Sequence, residues 1–348
     1  MGLAEMNSVE RCFKAIRRES PDRVPVIPLM ISHSAQLAGV PFCTYNCNPR
    51  VIVDCQVAAW RKYGYDGIHV TTDNWILPQA LGVPVQFYSD QPPTGLARPL
   101  ANTKDLSALP PVNEAKSAAR MGLLPAATRY ARDLLGDTCF IKTNFDQGPF
   151  SLASAVRGIE QLMIDMHDDK EFVFDLLEIC TELVCELGLA VGRARPHAIT
   201  FGDSVAGLIN RQDFIRFAFP AEQEVVRRLH ATLDMPVFLH ICGRASHILD
   251  YMANTGADVL ELDHCNDFAE VKRQLGSNVC VEGNLDPTGV LLQGSPELVR
   301  EKSTELIRLA GTHGGLILSS GCEVPRGTPS ANILAMVDAA RAGSHHGQ

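Results

Sequence analysis

The sequence predicts an α/β chain folded as a (β/α)8 TIM barrel. Three observations carry this. Eight short apolar runs recur along the chain, at residues 24–30, 67–71, 138–143, 198–201, 236–240, 258–262, 278–282 and 315–319, most of them bounded by turn residues. Helical patterns separate them, and strand–helix alternation sustained through eight strands requires parallel pairing with right-handed crossovers. The length of 348 residues, 46% hydrophobic and 20% charged, suits one such barrel with insertions.

The opening segment reads as a helix with Ser8 as its N-cap. Val9, Cys12, Phe13 and Ile16 fall at helical spacing, and the Pro-rich residues 21–25 end it. Further helices are predicted over 49–63, 159–189, 212–232, 245–254 and 296–310. A closing helix starts at Pro329 and Ser330 and carries Ile333, Leu334, Val337 and Ala340 along one face. Residues 81–111, rich in Pro and Gly, interrupt the alternation. They read as a β-hairpin excursion over the barrel mouth, with 101–111 as the return. On this reading residues 1–342 form a single barrel domain, and 343–348 form a frayed tail whose two His residues are incidental.

Composition excludes several classes. A net charge of −9 without a Lys/Arg cluster argues against nucleic acid. No apolar run reaches the length of a membrane span, and the first residues lack the pattern of a signal peptide, so a cytoplasmic protein is expected. Eleven cysteines in that setting imply free thiols or metal ligands instead of disulfides.

Chemistry in such barrels sits at the C-terminal ends of the strands. Those ends carry His33 after the first strand, Asp73 after the second, Asn144, Asp146 and Gln147 after the third, and Asp203 after the fourth. His240, Cys242 and Arg244 follow the fifth, Asp263, His264 and Cys265 the sixth, Glu282, Asn284 and Asp286 the seventh, and Cys322 and Glu323 the eighth. Residues at i and i+2 of a strand share a face, so His240 and Cys242 sit side by side, and the last strand delivers Cys322 to the same rim. One imidazole and two thiolates make a zinc set with an open fourth position. Asp203, Glu282 and Glu323 are expected near that position, the alternative for each being bonds to backbone N–H groups or to Arg244. His33, Asp73 and Asn144 are expected to line the pocket, the first two handling a proton or serving structure. Cys43 with Cys47, Cys180 with Cys185, and His264 with Cys265 compete for metal. None supplies a full set, and adjacent His264 and Cys265 would point opposite ways in a continuing strand.

Two thiolates and a neutral imidazole cancel the charge of a zinc ion. Such a centre acidifies water less than three histidines do, so hydrolysis fits poorly. It keeps a bound thiolate nucleophilic, or acts as a Lewis acid on a methyl donor.

Four stretches resemble the uroporphyrinogen decarboxylase superfamily: Asp22-Arg-Val-Pro-Val, Asp146-Gln-Gly-Pro-Phe-Ser-Leu-Ala, Val281-Glu-Gly-Asn-Leu-Asp-Pro, and the run from Thr328 to Arg341. The resemblance covers nearly the whole chain and implies a (β/α)8 barrel. Two branches differ in their chemistry. The decarboxylase branch carries an arginine-rich segment after the first strand, whereas no Arg or Lys occurs here between Val24 and Pro49. Asp73 stands where that branch keeps an aspartate, but Cys322 stands where it has a histidine. The zinc-dependent corrinoid methyltransferases, such as the methylcobamide:coenzyme M methyltransferases, carry H-x-C and a later Cys, matched by His240, Cys242 and Cys322. That branch implies Zn2+, a cobamide supplied by a partner corrinoid protein, and a small thiol or methylated molecule as co-substrate. The cobalt-ligand motif D-x-H-x-x-G is absent, since Asp165 and His167 are followed by Lys170. Two alternatives stand beside it: a tetrapyrrole decarboxylase, and a non-catalytic zinc- or corrinoid-binding barrel. A monomer or a homodimer is expected.

Overall fold

The computed structural model describes residues 5–118, 120–276, 278–310 and 314–343; residues 344–348 of the expected tail lie outside them. Among the described residues nine strands occur in chain order: β1 (Gly67–Val70), β2 (Val85–Gln86), β3 (Thr94–Gly95), β4 (Phe140–Gln147), β5 (Ala198–Gly202), β6 (Val237–Ile241), β7 (Val259–Leu262), β8 (Cys280–Leu285) and β9 (Leu316–Ser320). Seven of them form one parallel sheet in the order β1-β4-β5-β6-β7-β8-β9. Residues 25–27 close it into a barrel. Val26 bridges to Leu318 of β9, and Asp66, beside β1, donates its backbone N–H to the Val26 carbonyl at 2.8 Å. The first of the eight expected strands is therefore a single bridge and not a strand over 24–30. Pro25 and Pro28 have no N–H to offer a ladder, which leaves Ile27 as the residue that donates to Leu318.

Strand register sorts the interior into layers. Phe140, Ala198, Phe238, Val259, Cys280, Ile317 and Ile27 make one buried cluster at the base, plugged by Cys12, Ala15 and Ile16 of the opening helix Ser8–Ile16. Two residues further along the strands comes a polar layer: His69, Lys142, Thr200, His240, Glu261, Glu282 and Ser319. Two further again are Asn144, Cys242, Asp263, Asn284 and Gly321, at the mouth. The intervening residues of each strand pack outward on the helices, in the larger apolar cluster.

Capping fixes several helices. Asn7, not Ser8, caps the opening helix by accepting from Glu10 N at 2.8 Å. Pro49–Tyr63 has Asn48 as its cap, Pro at its first position and left-handed Gly64 (φ 68°) at its end. The single helix expected over 159–189 is two, Ile159–Asp168 and Lys170–Gly192. Asp169 breaks the path at φ −150° and caps the second. The segment 212–232 contains a π-helical turn, Phe214–Ala218, ahead of Phe219–His230. Helices Leu123–Leu135, Pro149–Arg157 and Phe268–Leu275 were not read from the sequence. Among the described residues no helix is long and apolar enough to cross a membrane.

The Asp22-Arg-Val-Pro-Val stretch works at the base. Buried Asp66 accepts from Arg11, Arg23, Ser8 and Val26 N, and Asp22 holds the other side of Arg11. The excursion is a β2–β3 hairpin, as expected. Ser89 accepts from Phe42 N at 2.9 Å, Asp90 accepts from Arg326, and Arg120 lies 4.7 Å over the Phe87 ring. Phe42 and Arg326 follow the first and last barrel staves, so the hairpin sits at the mouth.

Candidate metal centre

His240 ends the inward face of β6, Cys242 lies just past that strand, and Cys322 lies two residues past β9. The structure brings the three together: one ligand atom from each lies within 4.8 Å of the others. Cys242 Sγ is 3.7 Å from Cys322 Sγ, and His240 Nε2 is 2.8 Å from Cys242 Sγ. Both cysteines are free thiols. Zinc–sulfur bonds of about 2.3 Å at a tetrahedral angle place two sulfurs about 3.8 Å apart, so the sulfur pair already has the spacing of a zinc site. Gly321 makes this approach possible, because a Cβ there would stand 2.4 Å from His264 N. The hydrogen bond between the two thiols is the main influence on both. It pulls Cys242 below the ordinary thiol range and drives Cys322 up, with burial adding to the rise.

Beneath the cluster lies a buried charge layer. Glu261 Oε2 stands 3.6 Å from His240 Nδ1, and its Oε1 accepts from Lys142 Nζ at 2.8 Å. Lys142, fully buried, also donates to both oxygens of Glu282 at 2.7 and 2.6 Å. One ammonium between two carboxylates leaves the layer short of positive charge. Burial and the nearby Glu261 charge push Glu282 up to about 7, while Lys142 and the neighbouring imidazoles overcome burial to hold Glu261 low. His69, in the same layer, is pushed down to about 3 by burial and by Lys142.

The other predicted residues have different roles. The three carboxylates expected near the fourth metal position are engaged elsewhere. Glu282 is held by Lys142. Asp203, fully buried, accepts from Phe150 N (3.1 Å) and Ser151 N (2.6 Å) and caps helix Pro149–Arg157. Glu323 accepts from Ser32 N at 2.8 Å. Backbone donors and a buried ammonium offer each a better partner than an open rim does. His33 is held by hydrogen bonds at both ring nitrogens, Nε2 with Tyr63 Oη at 2.9 Å and Nδ1 with the Pro325 carbonyl at 3.4 Å. Asp73 is clamped by both Arg120 guanidinium nitrogens at 2.7 and 2.8 Å. Asn144 accepts from Asp146 N at 2.7 Å, at the irregularity within β4 between Asn144 and Gln147.

Sequence reasoning missed Lys142, Glu261 and Arg120. For the first two a signal existed: each is a charged residue inside an otherwise apolar run, in phase with the inward positions of its strand. Arg120 comes from an irregular segment and had no such signal.

Comparison with known proteins agrees with this architecture. The family model described as "Uroporphyrinogen decarboxylase (URO-D)" matches residues 7–343. The chain is 27% identical to a uroporphyrinogen decarboxylase of Crocosphaera subtropica, with 96% of each chain covered. It is 25% identical to the methylcobamide:CoM methyltransferase MtbA of Methanosarcina acetivorans, over 97% of this chain and 99% of that one. Among solved structures, a methyltransferase from Methanosarcina mazei superposes with a TM-score of 0.88 at 21% identity, over 97% of this chain and 99% of that one. The fold is thus the (β/α)8 barrel, and with the family model matched from residue 7 to residue 343 the chain belongs to the URO-D family.

Proposed function

We propose that this protein is a zinc-dependent methyltransferase that moves a methyl group between a cobamide on a partner corrinoid protein and a small thiol or methylated molecule. The observation that carries this reading is the pair of mouth thiols 3.7 Å apart beside His240, a donor set that fits zinc with one position open. The family includes relatives named as decarboxylases and relatives named as methyltransferases, at similar identity. Two features favour the second. Asp73, the aspartate a decarboxylase would aim at pyrrole N–H groups, is neutralised by Arg120. The stretch between Val24 and Pro49 carries no cation to meet a polycarboxylate.

His240, Cys242 and Cys322 hold the metal in this reading. Bound there, zinc supplies a nucleophilic thiolate from a thiol co-substrate, or Lewis acidity toward a methylated donor. Glu261 Oε2, 3.6 Å from His240 Nδ1, faces that side of the ring and favours Nε2 as the ligand nitrogen. Lys142 keeps Glu261 ionised for that task. The β2–β3 hairpin, tied to Phe42 and Arg326, walls the mouth and limits water. Asp73 and Arg120 present a fixed polar edge to the substrate.

The test is to incubate the protein with methylcob(III)alamin and a panel of thiols, then with cob(I)alamin and a panel of methyl ethers, methylamines and methyl thioethers. Spectral conversion of the cobalamin in either direction supports the reading and fixes the direction. Inactivity in both, with turnover of uroporphyrinogen, overturns it.

A further inference from the structure

A second group of ligands stands on the same rim, where adjacent residues of a continuing strand would have diverged. β7 ends at Leu262, and Asp263, His264 and Cys265 turn so that one ligand atom of each lies within 4.8 Å of the others. The turn is held by Asp263, which accepts from Cys265 N at 3.0 Å and from Gly243 N at 2.9 Å. We infer that His264 and Cys265, with Asp263 behind the imidazole and Asp286 beside it, form a second, solvent-facing site for a zinc-class divalent cation.

Two independent features support it. Asp263 Oδ1 stands 2.7 Å from His264 Nδ1, a negative charge on that side of the ring that favours the tautomer with its lone pair on Nε2. This carboxylate–histidine arrangement orients imidazoles toward metals. Two further donors each lie within reach of that Nε2: Cys265 Sγ at 3.8 Å and Asp286 Oδ1 at 3.9 Å. Zinc–nitrogen and zinc–sulfur bonds of about 2.1 and 2.3 Å at a tetrahedral angle set N and S about 3.6 Å apart, close to the spacing found. Asp286 comes from the end of β8, where it also caps the turn at Thr288 and Gly289, so its carboxylate is placed before any metal arrives. Imidazole, thiolate and carboxylate together suit zinc better than a hard cation such as Mg2+. His264 is 37% exposed and Cys265 is exposed, so this site meets solvent directly, unlike the His240 cluster.

The inference is independent of the reaction assigned to the first site, and its test keeps the two apart. The full-length protein carrying Cys242→Ser and Cys322→Ser is titrated with Co2+ and followed by thiolate-to-cobalt charge-transfer absorbance. One equivalent should still bind with a one-thiolate band. Adding Cys265→Ser should remove the band, and adding His264→Ala should weaken binding at least about tenfold, as loss of a ligand set by its partner carboxylate predicts. The inference is overturned if the double variant shows no band, or if the band survives Cys265→Ser and so belongs to another cysteine.

Discussion

His240 Nδ1 faces Glu261 Oε2 at 3.6 Å, and the two residues are direct register partners on β6 and β7. The strand pairing itself thus places a carboxylate behind the imidazole of the His240–Cys242–Cys322 cluster. Glu261 is in turn the register partner of Glu282, so that a single Lys142 ammonium reaches both carboxylates.

Replacing Glu261 with Gln should weaken zinc binding about 10- to 100-fold while leaving the barrel folded, because the amide still fills the layer but orients His240 less firmly. Zinc affinity measured by competition with a chelator checks this, with circular dichroism as the control for fold. Unchanged affinity would show that Glu261 only balances Lys142.

Cys242→Ala or Cys322→Ala should each remove most of the bound zinc from the His240 site. The core layers do not include either sulfur, so unfolding should remain cooperative. The check is zinc content after dialysis, read in the Cys265→Ser background so that the rim site does not contribute. Full zinc retention in both variants would refute the assignment of the ligands.

Much of this was legible before any coordinates. Seven of the eight staves and the hairpin follow from apolar runs and turn residues, and the grouping of His240, Cys242 and Cys322 follows from period-two spacing and the rule for barrel mouths. What escaped detection has physical causes. The first stave is formed by residues whose prolines cannot complete a ladder, so its apolar run looked like an ordinary strand. Asp203, Glu282 and His33 follow their strands as expected, but what each does is set by partners from distant segments that no local pattern reveals: the Phe150 and Ser151 amides, Lys142 and Tyr63. His264 and Cys265 were set aside as adjacent residues of a strand, and the strand stops before them.

Lys142→Met should cost about 3–5 kcal/mol of stability, the usual result of leaving buried carboxylates without their counter-ion. Glu282, already pushed up to about 7, will take a proton at modest cost and soften the loss. Restoring neutrality with Glu261→Gln and Glu282→Gln in the same chain should therefore recover much of it. Urea unfolding midpoints of the single and triple variants measure both effects. Equal stability of Lys142→Met and the native protein would mean that the layer is hydrated instead of dry.

Asp146 should make the fold more stable in mild acid. Its carboxyl accepts from Leu77 N at 2.7 Å, while its other oxygen finds no partner among the described residues. Burial, reinforced by the negative charge of Asp73, pushes it up to about 8 from an ordinary value of 3.8. Between those two values the folded protein keeps a proton that the unfolded chain has released. Its contribution therefore falls as pH rises through that window, by at most ~1.4 kcal/mol per unit, and is fully present only below the unfolded value. Asp146→Asn keeps an acceptor for Leu77 N and suits the left-handed backbone there (φ 85°), but does not ionise. Melting temperatures of the native and Asn-substituted proteins should diverge steadily from pH 5 to pH 8, with the variant increasingly the more stable. Parallel curves would show that Asp146 ionises at its ordinary value and that water reaches it.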